Sequence, residues 1–339
     1  MTASFEAKIL PGSPPEETGL AELDRPGFII WATECWGIDF SVGQVRCLIH
    51  GSPERAMSRG VAQDRLGRQF LVEKFAARAA RNRIADTLAA LKDRGLDRIL
   101  VPEMTGSGSW LGQYQEAFFQ VTRFVHGTDL PRPGWLASQN RGRAMAGFLI
   151  DMGQCAKTLF FQTPPFSIKT YIYRLFEDMK AVQPDQHARY LPVLKFLEKK
   201  FMAAHDSLPK VFCHGDFHPV NVIWADDRIR AVIDWEFAGV KPDIFDAANL
   251  LGCAGIEHPE GLAMPMATTF LARLYRAGAI SDHGWLWLPD YVLALRFAWL
   301  AEWLRKADEQ MLDMELQFMQ ILMAHQQDLK AVWADAAGM

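Results

Sequence analysis

Residues 211–236 constrain this chain more than any other stretch. They read Val211-Phe-Cys-His-Gly-Asp-Phe-His-Pro-Val-Asn-Val-Ile-Trp224 and then Arg230-Ala-Val-Ile-Asp-Trp-Glu236. Runs of β-branched and aromatic residues flank a Gly-containing loop, and Asp226-Asp227 marks a turn. A strand, a tight loop, a second strand, a turn and a third strand are expected. Three polar residues stand at the strand ends: Asp216, Asn221 five positions later, and Asp234 thirteen after that. A ribbon folding back over that distance can bring all three to one mouth. One carboxylate can then face a substrate hydroxyl, while the amide and the other carboxylate hold Mg2+ against a triphosphate.

The HGDFHPVN segment followed by IDWE resembles the loop and metal-binding segment of the aminoglycoside phosphotransferase and choline kinase superfamily. The resemblance covers residues 211–250 most specifically, and residues 28–130 more loosely. It implies an α+β, bilobal, protein-kinase-like fold. An N-terminal arm would span 1–27, an antiparallel-sheet small lobe covering the nucleotide 28–125, and a mainly helical large lobe 126–339. It also implies ATP as donor, Mg2+ as cofactor, and a small-molecule hydroxyl as acceptor: an aminoglycoside, an amino alcohol such as choline or ethanolamine, homoserine, or a sugar-like molecule. Asp216 would orient the acceptor hydroxyl and accept its proton, and Asn221 and Asp234 would hold the metal. Asp246 would accept hydrogen bonds from the loop backbone. His214 would anchor the loop under Asp216. His218 would bond the loop or reach the phosphates. Glu236 would lean on a second metal or cap a backbone group.

Composition agrees with a chain that can build real cores. Half of the 339 residues are apolar and 22% are charged, within the range of soluble globular chains. A formal charge of −4 offers no argument for nucleic-acid binding. Cys35, Cys47, Cys155, Cys213 and Cys253 form no CxxC pair and no zinc spacing, so reduced thiols in a cytoplasmic protein are expected. No apolar run approaches the ~20 residues of a membrane span, and the N-terminus lacks the basic start and apolar core of a signal peptide.

Upstream of the site, Gly27–Trp36 reads as a short helix stopped at Gly37, and a meander of strands follows at 44–50, 56–63 and 69–75. The turn at Gly51 and Ser52 would cover the phosphates with backbone N–H groups. Lys74, at the end of the third strand, is the candidate for the α/β-phosphates, set against the plainer reading of a surface lysine. A helix over 76–95 should supply an acid to orient that lysine. No Glu occurs between Lys74 and Glu103, which leaves Asp86 as the stand-in. The strand 118–125 resembles one entering a hinge, so Thr122–Val125, with Arg123 and Val125 among them, would offer backbone groups to adenine.

Downstream, helices are expected at 144–160, 167–181, 185–205, 261–279, 285–306 and 310–334, with one more starting at Pro242-Asp243, where Asp243 would be an N-cap. Glu302, Asp308, Glu309, Asp313 and Glu315 could meet a cationic substrate, but read more plainly as a solvated acidic face. Two other functions compete. The sparse Gly loop and the missing helix Glu suit a kinase-like scaffold without catalysis. His214, Asp216 and His218 form an H-x-D-x-H pattern that suits a metallohydrolase.

Overall fold

A computed structural model describes residues 19–50, 56–76, 79–159 and 166–339. The turn at Gly51 and Ser52 lies outside the described residues. In chain order the elements are α1 (Pro26–Trp36), β1 (Phe40–Val45), β2 (Ser58–Asp64), β3 (Gln69–Phe75), α2 (Ala79–Asp93), β4 (Gly112–Tyr114) and β5 (Ala117–Arg123). Then come α3 (Gln139–Ala156), α4 (Ile168–Val182), α5 (Pro184–Glu198), the one-turn α6 (Phe201–Ala204), β6 (Lys210–Cys213), β7 (Val222–Ala225), β8 (Arg228–Val232) and β9 (Gly239–Pro242). The chain closes with α7 (Phe245–Glu257), α8 (Pro265–Arg276), α9 (Asp282–Lys306), α10 (Glu309–Ala324) and α11 (Gln326–Ala337). Contacts divide these into two units. One joins the described residues up to Leu130 with Pro219–Glu236, and the other joins Pro131–His218 with Phe237–Met339.

The strand-rich unit is built on a five-stranded antiparallel sheet in the order β1-β2-β3-β5-β4. Side chains alternate across it. Phe70 and Val72 of β3 and Phe119 and Val121 of β5 face a core completed by Phe28, Ile29 and Ala32 of α1. Each fully buried large side chain there contributes about 1.5–3 kcal/mol. Helix α1 stops as expected at Gly37, which takes a φ of 66°. Leu20 and Leu23 are buried in the same core, so residues 19–27 are packed structure and not part of an extended arm. The opposite face of β3 and β5 carries Leu71, Glu73, Gln120 and Thr122, which line a cavity.

The β7–β8 hairpin belongs to this strand-rich unit, whereas the sequence reading had placed it in the helical part. Val232 N–H donates to Arg98 O at 2.9 Å, Thr128 N–H to Trp224 O at 2.9 Å, and Arg230 to His126 O at 2.9 Å. The expected three-strand ribbon over 211–234 is also corrected. β6 pairs with β9 and not with β7.

The second unit is mainly helical, with the β6–β9 pair beside α3, α4, α5 and α7–α11. Its helix ends follow local chemistry. Ser138, Ser167, Ser281 and Asp308 each accept a backbone N–H from the first turn that follows them. Asp243 does not cap α7; its carboxylate accepts the N–H of Ser281 at 2.9 Å. Glu315 is not on a solvated face. It is fully buried and bidentate to Arg296 at 2.5 and 2.6 Å, with Trp303 Nε1 donating to it at 3.3 Å. No helix among the described residues is long and apolar enough to cross a membrane.

Candidate active site

In the helical unit the segment after β6 turns sharply at Gly215, whose φ is 85°. A Cβ there would lie 2.1 Å from Phe237 O, so glycine is required both for the turn and for the close approach. Helix α7 holds this turn from below. Asp246 Oδ2 accepts the N–H of His214 at 2.7 Å and Oδ1 that of Gly215 at 2.8 Å. One turn further along, Asn249 Nδ2 donates to Phe217 O at 3.3 Å. The Phe217 ring stacks on Phe148 of α3, with centroids 5.7 Å apart. The segment is thus tied at His214, Gly215 and Phe217, on either side of Asp216.

His214 is completely buried. Its Nδ1 accepts the Asp216 N–H at 3.2 Å, which assigns the ring proton to Nε2. His218 Nε2 lies 3.5 Å from Asp216 Oδ1, and its ring sits 6.5 Å from that of Trp299 on α9. Beneath the loop, burial pushes the Asp246 carboxyl up to about 6, and the two N–H donors and Lys241 only partly offset that rise. Burial likewise lowers the Lys241 ammonium, whose Nζ donates to Phe237 O at 2.6 Å.

In the strand-rich unit the β7–β8 hairpin places the other two polar residues together. Val222 pairs with Val232, and just beyond that pair the Ile233 N–H donates to Asn221 O at 3.0 Å. Asn221 and Asp234 therefore flank the open end of the hairpin. Asn221 is buried, and Asp234 adopts a left-handed φ of 67°, a conformation that costs on the order of 1 kcal/mol or more. Asp234 and Glu236 line the cavity found under the sheet. The rest of its wall includes Arg59, Glu73, Arg81 and Thr122–Val125, so Arg123 and Val125 both reach it.

Asn221 is not on the wall of this cavity, and neither are two of the residues expected to serve the nucleotide, Lys74 and Asp86. Lys74 lies on the α1 face of β3, and its Nζ donates to Glu22 Oε1 at 2.7 Å. Strand alternation puts its neighbour Glu73 on the cavity side instead. Asp86 accepts a hydrogen bond from Trp110 Nε1 at 2.6 Å, so it does not orient Lys74. Glu236 pairs with Arg81 of α2, whose guanidinium lies 4.2 Å from the Phe75 ring centroid. Glu73 is one residue that sequence reasoning missed; among its charged neighbours are Arg81, Arg59, Asp234 and Glu236, and burial raises its carboxyl.

The pair Asn221 and Asp234 suits a hard divalent cation. An amide oxygen and a carboxylate are the donors that Mg2+ takes when substrate phosphates and water complete its shell. A zinc cage does not fit. Among the described residues no trio of His, Cys, Asp or Glu is gathered for a metal, and His214 Nδ1 is engaged by the loop backbone.

A family model described as the phosphotransferase enzyme family matches residues 63–286. No curated protein matches the chain. Solved structures share its fold. An aminoglycoside phosphotransferase from Alicyclobacillus acidocaldarius subsp. acidocaldarius DSM 446 is 15% identical, with 93% of this chain and 97% of that chain covered, at a TM-score of 0.63. An amicoumacin kinase in complex with AMP-PNP, Ca2+ and Ami is 15% identical over 90% and 94% of the two chains, at 0.67. A microcompartment-associated aminopropanol kinase is 12% identical over 88% and 94%, at 0.60.

Proposed function

Because the chain belongs to the phosphotransferase enzyme family, we propose that it is an ATP- and Mg2+-dependent kinase that transfers the γ-phosphoryl group to a hydroxyl of a small molecule. The strand-rich unit covers the nucleotide in this reading, and the helical unit carries the acceptor. Adenine lies against Thr122–Val125, where backbone N–H and C=O groups serve its edge. Asn221 and Asp234 hold Mg2+, which when bound neutralises charge on the β- and γ-phosphates. Asp216 accepts a hydrogen bond from the acceptor hydroxyl and takes its proton as that oxygen bonds to phosphorus and the bond to the ADP oxygen breaks. His214, Asp246 and Asn249 keep the Asp216 backbone in place and touch no substrate.

The observation that carries this reading is that Asp234 lines the same cavity as the end of β5. The end of a strand, to serve a base, and a carboxylate, to serve a metal, thus share one wall in this reading. The similar structures include kinases of an amino alcohol, of amicoumacin and of aminoglycosides, so a hydroxyl on an amine-bearing molecule is the acceptor class to try first. The test is ADP release, by coupled assay with ATP and Mg2+, over choline, ethanolamine, aminopropanol, homoserine, aminoglycosides, macrolides and sugars. Acceptor-dependent release that Asp216→Asn abolishes supports the reading, and release with no acceptor dependence across the panel opposes it.

A second reading is a nucleotide-binding scaffold without turnover. Glu73 in the cavity and Lys74 outside it favour this view. It expects nucleotide binding with no acceptor-dependent ADP release.

A further inference from the structure

A triphosphate bound near Asp234 meets three carboxylates in the cavity wall: Glu73, Asp234 and Glu236. The metal accounts for Asp234. The other two would repel phosphate oxygens unless a protein cation stands among them. Lys74 is not that cation, since it is bonded to Glu22 on the far face of β3.

Three arginines line the cavity. Arg59 is also near Glu73, but it is buried and its guanidinium is held by main-chain carbonyls, donating to His50 O at 3.1 Å and Ile49 O at 3.3 Å. Arg123 is exposed, and its guanidinium lies 5.4 Å from the ring of Phe70, a residue of the opposite sheet face. Arg81 is held among the acids. It pairs with Glu236, packs on Phe75, and lies within electrostatic reach of Glu73.

We infer that Arg81 of α2 is the side chain that binds the α- and β-phosphates of the nucleotide, with Glu73 and Glu236 as the carboxylates that position its guanidinium. This inference rests on the nucleotide reading proposed above. It reverses the expected polarity, placing the acid on the strand and the cation on the helix. A guanidinium suits the task because its planar fork of five donors can serve a carboxylate and a phosphate together.

The test is calorimetric titration of ATP, ADP and adenosine, with Mg2+ present, into the wild type, Arg81→Ala, Arg81→Lys, Glu73→Gln and Lys74→Ala. Arg81→Ala is expected to weaken ATP and ADP at least tenfold while changing adenosine less than twofold. Arg81→Lys keeps the charge without the fork and should fall between wild type and Arg81→Ala. Lys74→Ala should leave all three ligands within twofold. If Arg81→Ala does not fold, Arg81→Lys and Glu73→Gln carry the comparison, each with a severalfold loss for ATP and none for adenosine. Equal losses of ATP and adenosine, or a tenfold loss for ATP in Lys74→Ala with the Arg81 variants unaffected, would overturn the inference. A wild type that binds none of the three ligands would overturn the nucleotide reading as well; a wild type that binds ATP beside an unaffected Arg81→Ala overturns the Arg81 assignment alone.

Discussion

Asp246 accepts the backbone N–H of His214 at 2.7 Å, from a carboxylate that is buried under the loop and pushed up to about 6 from an ordinary 3.8. Burial is the main cause. The native protein therefore holds a proton on Asp246 at pH values where the unfolded chain has lost it.

Stability should carry the mark of that proton. Because the native pKa is the higher one, the stabilising contribution of Asp246 is fully present below pH 3.8 and lost as pH rises through about 6. Urea unfolding of wild type and Asp246→Asn across pH 3.5–7 should show it. The stability difference should move against the wild type by up to roughly 3 kcal/mol over that window. A constant difference would mean that Asp246 is not raised.

Asp216 is expected to act on turnover alone. Asp216→Asn keeps the shape and the N–H bond to His214 but loses the proton acceptor. It should lower kcat by about 10²–10⁴-fold with the KM for ATP within about twofold. Steady-state kinetics with the acceptor found by the screen will check it, and turnover at the wild-type level would remove Asp216 from the chemistry.

Gly215→Ala should damage both the loop and the fold. The substituted residue would sit at a φ of 85° with its Cβ 2.1 Å from Phe237 O. A cost of about 2 kcal/mol or more is expected, with kcat falling alongside the melting temperature. A variant of unchanged stability would show that the turn relaxes freely.

The parts legible in the sequence are those that rest on local pattern. The helix ending at Gly37, strand β3 and the antiparallel sheet follow from capping and alternation. The segment carrying Asp216 was marked by polar residues among apolar ones. The side on which β3 presents its charge was not legible. Glu73 and Lys74 are adjacent, strand period sends them to opposite faces, and only the packing of Phe70 and Val72 under α1 decides which faces the cavity. The partner of β6 was missed for a similar reason, since pairing with β9 depends on where the chain returns 26 residues later, counting Cys213 to Gly239. Glu315 was misread because burial with Arg296 requires a neighbouring helix that sequence does not position. Asn249 could have been found: it lies three residues after Asp246 on one helix and thus on the same face.

The most direct measurement is the binding of ATP to wild type and Asp234→Ala, with and without Mg2+. Saturable binding by the wild type is expected to strengthen at least tenfold when Mg2+ is added, and Asp234→Ala is expected to lose that strengthening. Equal ATP affinity with and without Mg2+, or a strengthening that survives in Asp234→Ala, would contradict it.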